Sequence, residues 1–384
     1  MIGFEFRTSD QIHFGRGSIS KLDTILPTDV TRVLVVSGRH NADNNPAIAA
    51  LSARNIDIHH LVLSGEPDAD TIDTQASVAR QKQIEWVIAI GGGSVLDAGK
   101  AIAMLVTNAG KTLDYIEVVG KGKKISKPAL PLVAIPTTAG TGSEVTKNAV
   151  IIIRDKKAKA SLRSPLMIPN AAIIDAELMA SLPPSPTAHT GMDALTQVME
   201  AYLSSKSNLL IDSLCENAIR MGFAALPRVY ADGGDLDARE EMAYVSLIGG
   251  IALANAGLGA VHGFAASLGG MFDVPHGFIC ACFLPVVFEA NYAALLNMDK
   301  KHPVLRKYSR IAELLGYGED GIEQVFTRLY DLRGEFEIPG MRKFGVEKTM
   351  AGEIADLTAA TSSIRGNPVG LSRKELIEIL IKCV

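Results

Sequence analysis

The chain has 384 residues, 47% of them apolar, and a formal charge of −4, enough for two or three domains with sizeable cores. The slight acidity excludes an electrostatic case for nucleic-acid binding, so an anionic ligand has to be held by backbone amides and a few local cations. The four cysteines show no framework spacing, and Cys280 and Cys282 lie inside the apolar run FICACFLP, which reads as buried thiols in a reduced, cytoplasmic protein.

The opening MIGFEFRTSDQIHFG lacks a basic region followed by an apolar one, so no secretory leader is expected. Strand signals follow at RVLVVSG (32–38), HHLVLSG (59–65), EWVIAIGGG (85–93), LPLVAIPTT (130–138) and AVIIIRD (149–155). DTIDTQASVARQKQ (70–83) and SVLDAGKAIAMLVT (94–107) read as helices between them. Such alternation predicts a parallel sheet covered by helices. Past Pro183, Pro184 and Pro186 the β-branched runs stop and long helical patterns take over. The chain therefore divides near residue 182, into an α/β domain over 1–182 and an all-helical domain over 183–384. From Met242 to Met271 there is no Asp, Glu, Lys or Arg, long enough to suggest a membrane span. Its Gly and Ala content, Asn255, His262 and the acidic flanks Glu240, Glu241 and Asp273 argue instead for helices buried in protein.

In WVIAIGGGSVLDAGKAIA (86–103) an apolar strand ends in Gly91, Gly92 and Gly93, and a helix opens at once. Ser94 and Asp97 have the spacing of a capping box, with Asp in place of Glu, which predicts Ser94 as the N-cap. Free amides at that helix start suit a phosphate, although a plain tight turn produces the same pattern. PTTAGTGSEVT (136–146) repeats the arrangement with the hydroxyls of Thr137, Thr138, Thr141 and Ser143. Two such loops at strand C-termini of one sheet point to a nucleotide or dinucleotide cofactor.

TGMDALTQVMEAYLS (190–204) reads as an amphipathic helix with Asp193 and Gln197 on one face. His262 and His276 lie in VHGFAASLGGMFDVPHG (261–277). One continuous helix would hold them about 21 Å apart, but Gly269, Gly270 and Pro275 break it, so the chain can turn back. Asp and His are ligands suited to Fe²⁺ or Zn²⁺. Taken singly, each has a structural reading: a helix Asp is solvated, and a His in a small-residue core is hydrogen-bonded.

GGGSVLDAGKAIA, PTTAGTGSEVT, GMDALTQVMEAYLS and GLGAVHGFAASLGGMFDVPHG occur in this order, after the opening IHFGRGSISKL. Together they resemble the iron-containing (group III) alcohol dehydrogenase family of the dehydroquinate synthase-like superfamily, over nearly the whole chain. The resemblance implies a dinucleotide-binding α/β domain, a helical domain, and a cleft between them for nicotinamide and a divalent metal. It implies reversible hydride transfer between NAD(P)H and a small aldehyde or ketone, with the carbonyl polarised by the metal. Gly92, Gly93, Ser94, Asp97, Thr137, Thr138, Thr141 and Ser143 are the expected cofactor residues. Asp193, His262 and His276 are the expected catalytic metal ligands, with Fe²⁺ or Zn²⁺ bound. The family commonly forms homodimers or larger assemblies, and no membrane or nucleic-acid partner is implied.

The sequence departs from the family at three places. Gln197 stands where a third histidine ligand belongs and offers a weaker, neutral oxygen. Ala266 replaces a histidine with a proposed proton-relay role, and His189, one turn before Asp193, is a candidate substitute or a surface residue. After the strand VLVVSG, Gly38 and Arg39 stand where NAD-using members place a carboxylate, so NADP is favoured over NAD. Lys159 matches a family lysine near the cofactor, in a flank (KKAKASLR, 156–163) that equally suits a solvated basic loop. Substrate-pocket residues are expected around Asn148, Phe264 and SSIRGNPVGLS. The alternatives are a lyase like the sugar-phosphate cyclases, which needs basic residues near the metal that this chain lacks, or a family member with a degenerate metal site and altered function.

Overall fold

Six short strands assemble into one parallel sheet, the central ones apolar and buried on both faces. The computed structural model describes residues 3–41, 44–116, 119–156 and 158–384. Its α/β unit comprises Arg7–Thr138 and Gly142–Ser181. The strands are β1 (Gln11–Phe14), β2 (Arg32–Gly38), β3 (Asp57–Leu63), β4 (Trp86–Gly91), β5 (Leu132–Pro136), β6 (Asn148–Ile153), β7 (Ala158–Arg163) and β8 (Ala171–Ile174). The sheet order is β1-β8-β5-β4-β2-β3, all parallel. Leu34, Val36, Val87, Ala89 and Ala134 point to one face, against α2 (Ala69–Gln81) and α3 (Gly93–Thr107). Val33, Val35, Ile88, Ile90 and Ile135 point to the other, where Leu51 of α1 (Pro46–Ala53) and, earlier in the chain, Leu22 cover them. Burial on both faces is why these strands read as continuous apolar runs. Strand order reverses between β2 and β4, and ligands of such sheets bind outside the strand C-termini at that reversal.

Two expectations change here, and two expected cofactor residues have partners of their own. AVIIIRD does not join the sheet: β6 pairs antiparallel with β7 in a separate ribbon, Asn148 opposite Arg163. Ala149, Ile151 and Ile153 are buried while Val150 is 41% exposed, a one-sided strand whose alternation is hidden because the outward residue is also apolar. The N-cap of α3 is Gly92, not Ser94, and no side chain caps it. Asp97 and Ser143, two of the expected cofactor residues, are both engaged with Lys100.

Lys100 is 1% exposed. Its ammonium donates to Ser143 O (3.0 Å), Ser143 Oγ (2.6 Å), Thr146 Oγ1 (3.1 Å) and the Asn148 carbonyl, and pairs with Asp97 Oδ1 at 3.0 Å. Asp97 also accepts from Ser143 Oγ (2.5 Å) and Val150 N (2.8 Å). This knot ties the segment after β5 to the helix that opens at the glycine loop. Beside it Glu144 is fully buried with Oε1 unpartnered, and burial, outweighing Lys100, pushes its carboxyl up to about 7 from 4.5. A group whose folded pKa is raised binds its proton more tightly in the native state. Its stabilising effect is therefore complete below 4.5 and lost as pH rises through about 7. Thermal stability is expected to fall from about pH 5 to about pH 8, and Glu144→Gln to remove part of that fall. Identical pH slopes in the two proteins would contradict the assignment.

The helical unit takes Leu182–Val384, with Ala139–Thr141 and residues 3–6. It contains α4 (Pro184–Leu203), α5 (Leu209–Ala231), α6 (Leu236–Ala256), α7 (Ala260–Met271), α8 (His276–Met298), α9 (Pro303–Leu314), α10 (Ile322–Glu335), α11 (Ala351–Ala360) and α12 (Arg373–Cys383). The uncharged stretch from Met242 to Met271 is not one rod: α6 and α7 meet at 96°. The turn passes through Gly257 at φ 70°, a conformation that costs glycine nothing. The helix break before His276 falls at Phe272–Pro275, while Gly269 and Gly270 stay helical. Among the described residues α8 alone is a single helix long and apolar enough to cross a membrane, and 67% of its apolar window is buried within the protein.

Candidate metal centre and cofactor loops

On α4, Asp193, Gln197 and Glu200 follow at i, i+4 and i+7 and share one face. All three are buried, which costs free energy unless their polar atoms find partners. Glu200 meets the start of α7. One of its oxygens accepts from Val261 N at 2.7 Å and the other from His262 Nδ1 at 2.7 Å. It thus satisfies a free amide of the first helical turn and fixes the imidazole, leaving His262 Nε2 facing Asp193 Oδ1 at 3.2 Å. Asn367 Oδ1 accepts from Ala260 N at 3.1 Å, securing the same turn.

His276 opens α8, its Nε2 at 3.8 Å from Asp193 Oδ1, and its side chain is 43% exposed. One turn on, Cys280 Sγ lies 3.9 Å from His262 Nε2. Asp193, His262, His276 and Cys280 offer ligand atoms that all lie within 4.8 Å of one another. Burial works to raise the Asp193 carboxyl, but His276 and His262 outweigh it and bring it to about 2. Burial likewise opposes charge on His262, yet Cys280, Asp193 and Glu200 hold its pKa well above the usual value. Burial, with Asp193 nearby, pushes the Cys280 thiol up to about 12.

One carboxylate oxygen, two imidazole nitrogens and a sulfur, buried on three sides and open at His276, are a donor set that fits Zn²⁺ or Fe²⁺. Gln197 does not present its oxygen to this point. Its Nε2 donates to Gly140 O (3.1 Å) and Asp193 Oδ1 (3.3 Å), and Oε1 has no partner. His189 packs edge-on against Phe278, ring centroids 5.2 Å apart, with its pKa lowered by burial and by Lys343. Phe264, expected at the substrate, stacks on Phe283 in the core, and the Asn148 side chain is held by Arg163.

The position of His276 depends on Gly277. A Cβ there would sit 2.3 Å from the His189 carbonyl oxygen, so α8 can begin this close to α4 only with glycine. Gly277→Ala is expected to displace His276 and weaken metal binding about 10–100-fold, as disturbed ligand support does elsewhere. Unchanged affinity by metal titration would contradict this.

In the α/β unit the loop residues gather at the C-terminal edge. Gly91 is in register with Pro136, and Thr137 N donates to Gly91 O at 3.0 Å. Gly92, Gly93, Ser94, Thr137 and Thr138 are all partly exposed there, beside the opening amides of α3. Gly38 ends β2, and the exposed Arg39 donates to Ser64 Oγ after β3. Lys159 pairs with Glu66 at 2.7 Å. Thr141, half-buried, groups with the helical unit.

A family model described as iron-containing alcohol dehydrogenase matches residues 9–176, and one for the family's C-terminal domain matches residues 187–384. The chain belongs to the iron-containing alcohol dehydrogenase family. It is 34% identical to alcohol dehydrogenase 4 of Saccharomyces cerevisiae over 96% of this chain and 95% of that one. It is 36% identical to 1,3-propanediol dehydrogenase of Citrobacter freundii over 79% of this chain and 76% of that one. The solved structure of a 1,3-propanediol oxidoreductase superposes with a TM-score of 0.92 at 30% identity, covering 100% of both chains. As a family member the protein is a nicotinamide-dependent oxidoreductase acting on CH–OH groups, and the sugar-phosphate cyclase reading is set aside.

The sequence reading missed Glu200 and Cys280. Both carry a helical signal, Glu200 at i+7 from Asp193 and Cys280 at i+4 from His276.

Proposed function

We propose that the enzyme reduces small aldehydes or ketones, and oxidises the matching alcohols, with NADP(H) preferred over NAD(H) and a divalent cation at Asp193, His262 and His276. The convergence of these three side chains around one point, with Glu200 orienting His262, carries the reading. When bound, the nicotinamide supplies the hydride and the cation supplies Lewis acidity toward the carbonyl oxygen.

The chain's own residues do the rest. Asp193 brings a negative charge into a buried place, and Glu200 holds His262 by Nδ1 so that Nε2 faces Asp193, where it would bind the cation once its proton has left. The amides opening α3 receive the pyrophosphate. Ala266 has no proton to give, so the proton for the product alcohol would come from water rather than from a side chain at that position. Four buried thiols with no disulfide suit a cytoplasmic, reducing compartment.

At the adenosine end, Gly38 leaves out a carboxylate, and Arg39 offers a guanidinium to a 2′-phosphate. A Cβ at Gly38 would meet Val95 at an ordinary 3.7 Å, so Gly38→Asp is accommodated. That substitution is expected to move the NADPH-to-NADH ratio of kcat/KM toward NADH by about 100-fold, since like charges opposed at a binding site cost several kcal/mol. An unchanged ratio would remove Gly38 and Arg39 from the cofactor site. The function itself is tested by NADPH oxidation with a panel of short aldehydes and ketones, using protein loaded with Zn²⁺ or Fe²⁺. Aldehyde-dependent oxidation supports it; none with any compound contradicts it.

A further inference from the structure

We propose that Cys280 is the fourth protein ligand of the cation, in the place that Gln197 leaves open. The inference rests on the metal-assisted reading above and names a ligand outside the expected set.

Zn²⁺ bound tetrahedrally at ordinary bond lengths spaces its nitrogen and oxygen ligands about 3.3 Å apart, and sulfur from nitrogen about 3.6 Å. The corresponding spacings here are 3.2 Å from His262 Nε2 to Asp193 Oδ1, 3.8 Å from His276 Nε2 to Asp193 Oδ1, and 3.9 Å from Cys280 Sγ to His262 Nε2. The remaining pairs lie within 4.8 Å, so closing movements of up to about 1 Å bring all of these atoms onto one cation. Cys280 and His276 are four apart on α8, so one helix face presents both.

The Gln197 amide is held the other way round. Turning it would set its carbonyl oxygen against two other oxygens, those of Gly140 and Asp193, which now accept its N–H groups. Gln197 thus acts as a donor that positions Asp193 and gives the cation no oxygen. On binding, the Cys280 S–H and His262 Nε2–H bonds are replaced by bonds to the metal and both protons leave to solvent, with no change of oxidation state. Thiolate and Asp193 carboxylate together then balance a doubly charged ion between two neutral imidazoles. A sulfur ligand softens the site and favours Zn²⁺ over Fe²⁺ relative to an all-nitrogen-and-oxygen set.

The test uses the unmodified full chain. Zinc-edge X-ray absorption is expected to show one sulfur at about 2.3 Å beside nitrogen and oxygen at about 2.0–2.1 Å. The Co²⁺-loaded protein is expected to show an intense near-ultraviolet thiolate-to-cobalt band. Cys282→Ser, whose thiol lies instead against the Cys383 carbonyl, keeps the band. Cys280→Ser loses it, and its metal affinity falls by about 100-fold or more, beyond the cost of disturbing outer support. A bound cation with nitrogen and oxygen neighbours alone overturns the Cys280 assignment and leaves metal-assisted reduction standing. A chain that takes up neither Zn²⁺ nor Co²⁺ overturns both.

Discussion

Asp193→Asn is expected to lower kcat/KM for aldehyde reduction by about 1,000-fold or more, with bound metal falling in parallel. The substitution keeps shape and volume and removes only charge. Asp193 faces His262 Nε2, His276 Nε2 and the Gln197 amide at once, and it keeps its charge despite burial because those imidazoles oppose the burial. An asparagine oxygen is a poor ligand for a divalent cation, and its amide hydrogens would point at the site or at Gln197. Steady-state kinetics with metal analysis on the same samples checks this. Wild-type turnover in Asp193→Asn would remove the carboxylate from the mechanism.

Lys100→Met is expected to be the most destabilising single change in the α/β unit, by about 3–5 kcal/mol, because it leaves buried charge without its partner. Methionine retains the aliphatic stem, so the loss isolates the ammonium. That ammonium serves acceptors on Ser143, Thr146 and Asn148 and pairs with Asp97. Without it the Asp97 carboxylate remains, facing Ser143 and the Val150 amide. A midpoint lowered by about 10 °C corresponds to such a loss in a unit of this size. The knot also joins the segment after β5 to α3, so KM for the nicotinamide cofactor is expected to rise more than kcat falls. A midpoint within about 2 °C of wild type would show that the buried charge has an alternative partner.

How much of this was legible beforehand depended on the length and pattern of each segment. RVLVVSG was read to the residue as β2 because its apolar run is long, buried on both faces and bounded by Arg32 and Gly38. β1 and β8 were not anticipated: QIHF and AAII are four-residue runs whose strand character comes from pairing with each other and with β5. AVIIIRD was placed in the wrong sheet because local sequence does not encode partner choice. Ser94 was a reasonable N-cap by spacing, but Gly92 begins the helix earlier with its backbone alone.

At the site, the helix face carrying Asp193 and the turn returning His276 toward His262 both followed from periodicity and from Pro275. Glu200 was passed over because a glutamate seven residues from an aspartate on a helix is ordinarily solvated. Cys280 was passed over because an apolar run makes a thiol look like packing. Only the tertiary crossing of α4, α7 and α8 puts both beside the histidines.

Metal-free protein titrated with Zn²⁺ or Fe²⁺, with NADPH-dependent aldehyde reduction measured at each addition, tests the proposed chemistry most directly. Activity is expected to rise in proportion to bound metal and level off at one equivalent per chain, and to be lost on chelation. Full activity in the metal-free protein, unchanged by metal or chelator, would contradict it.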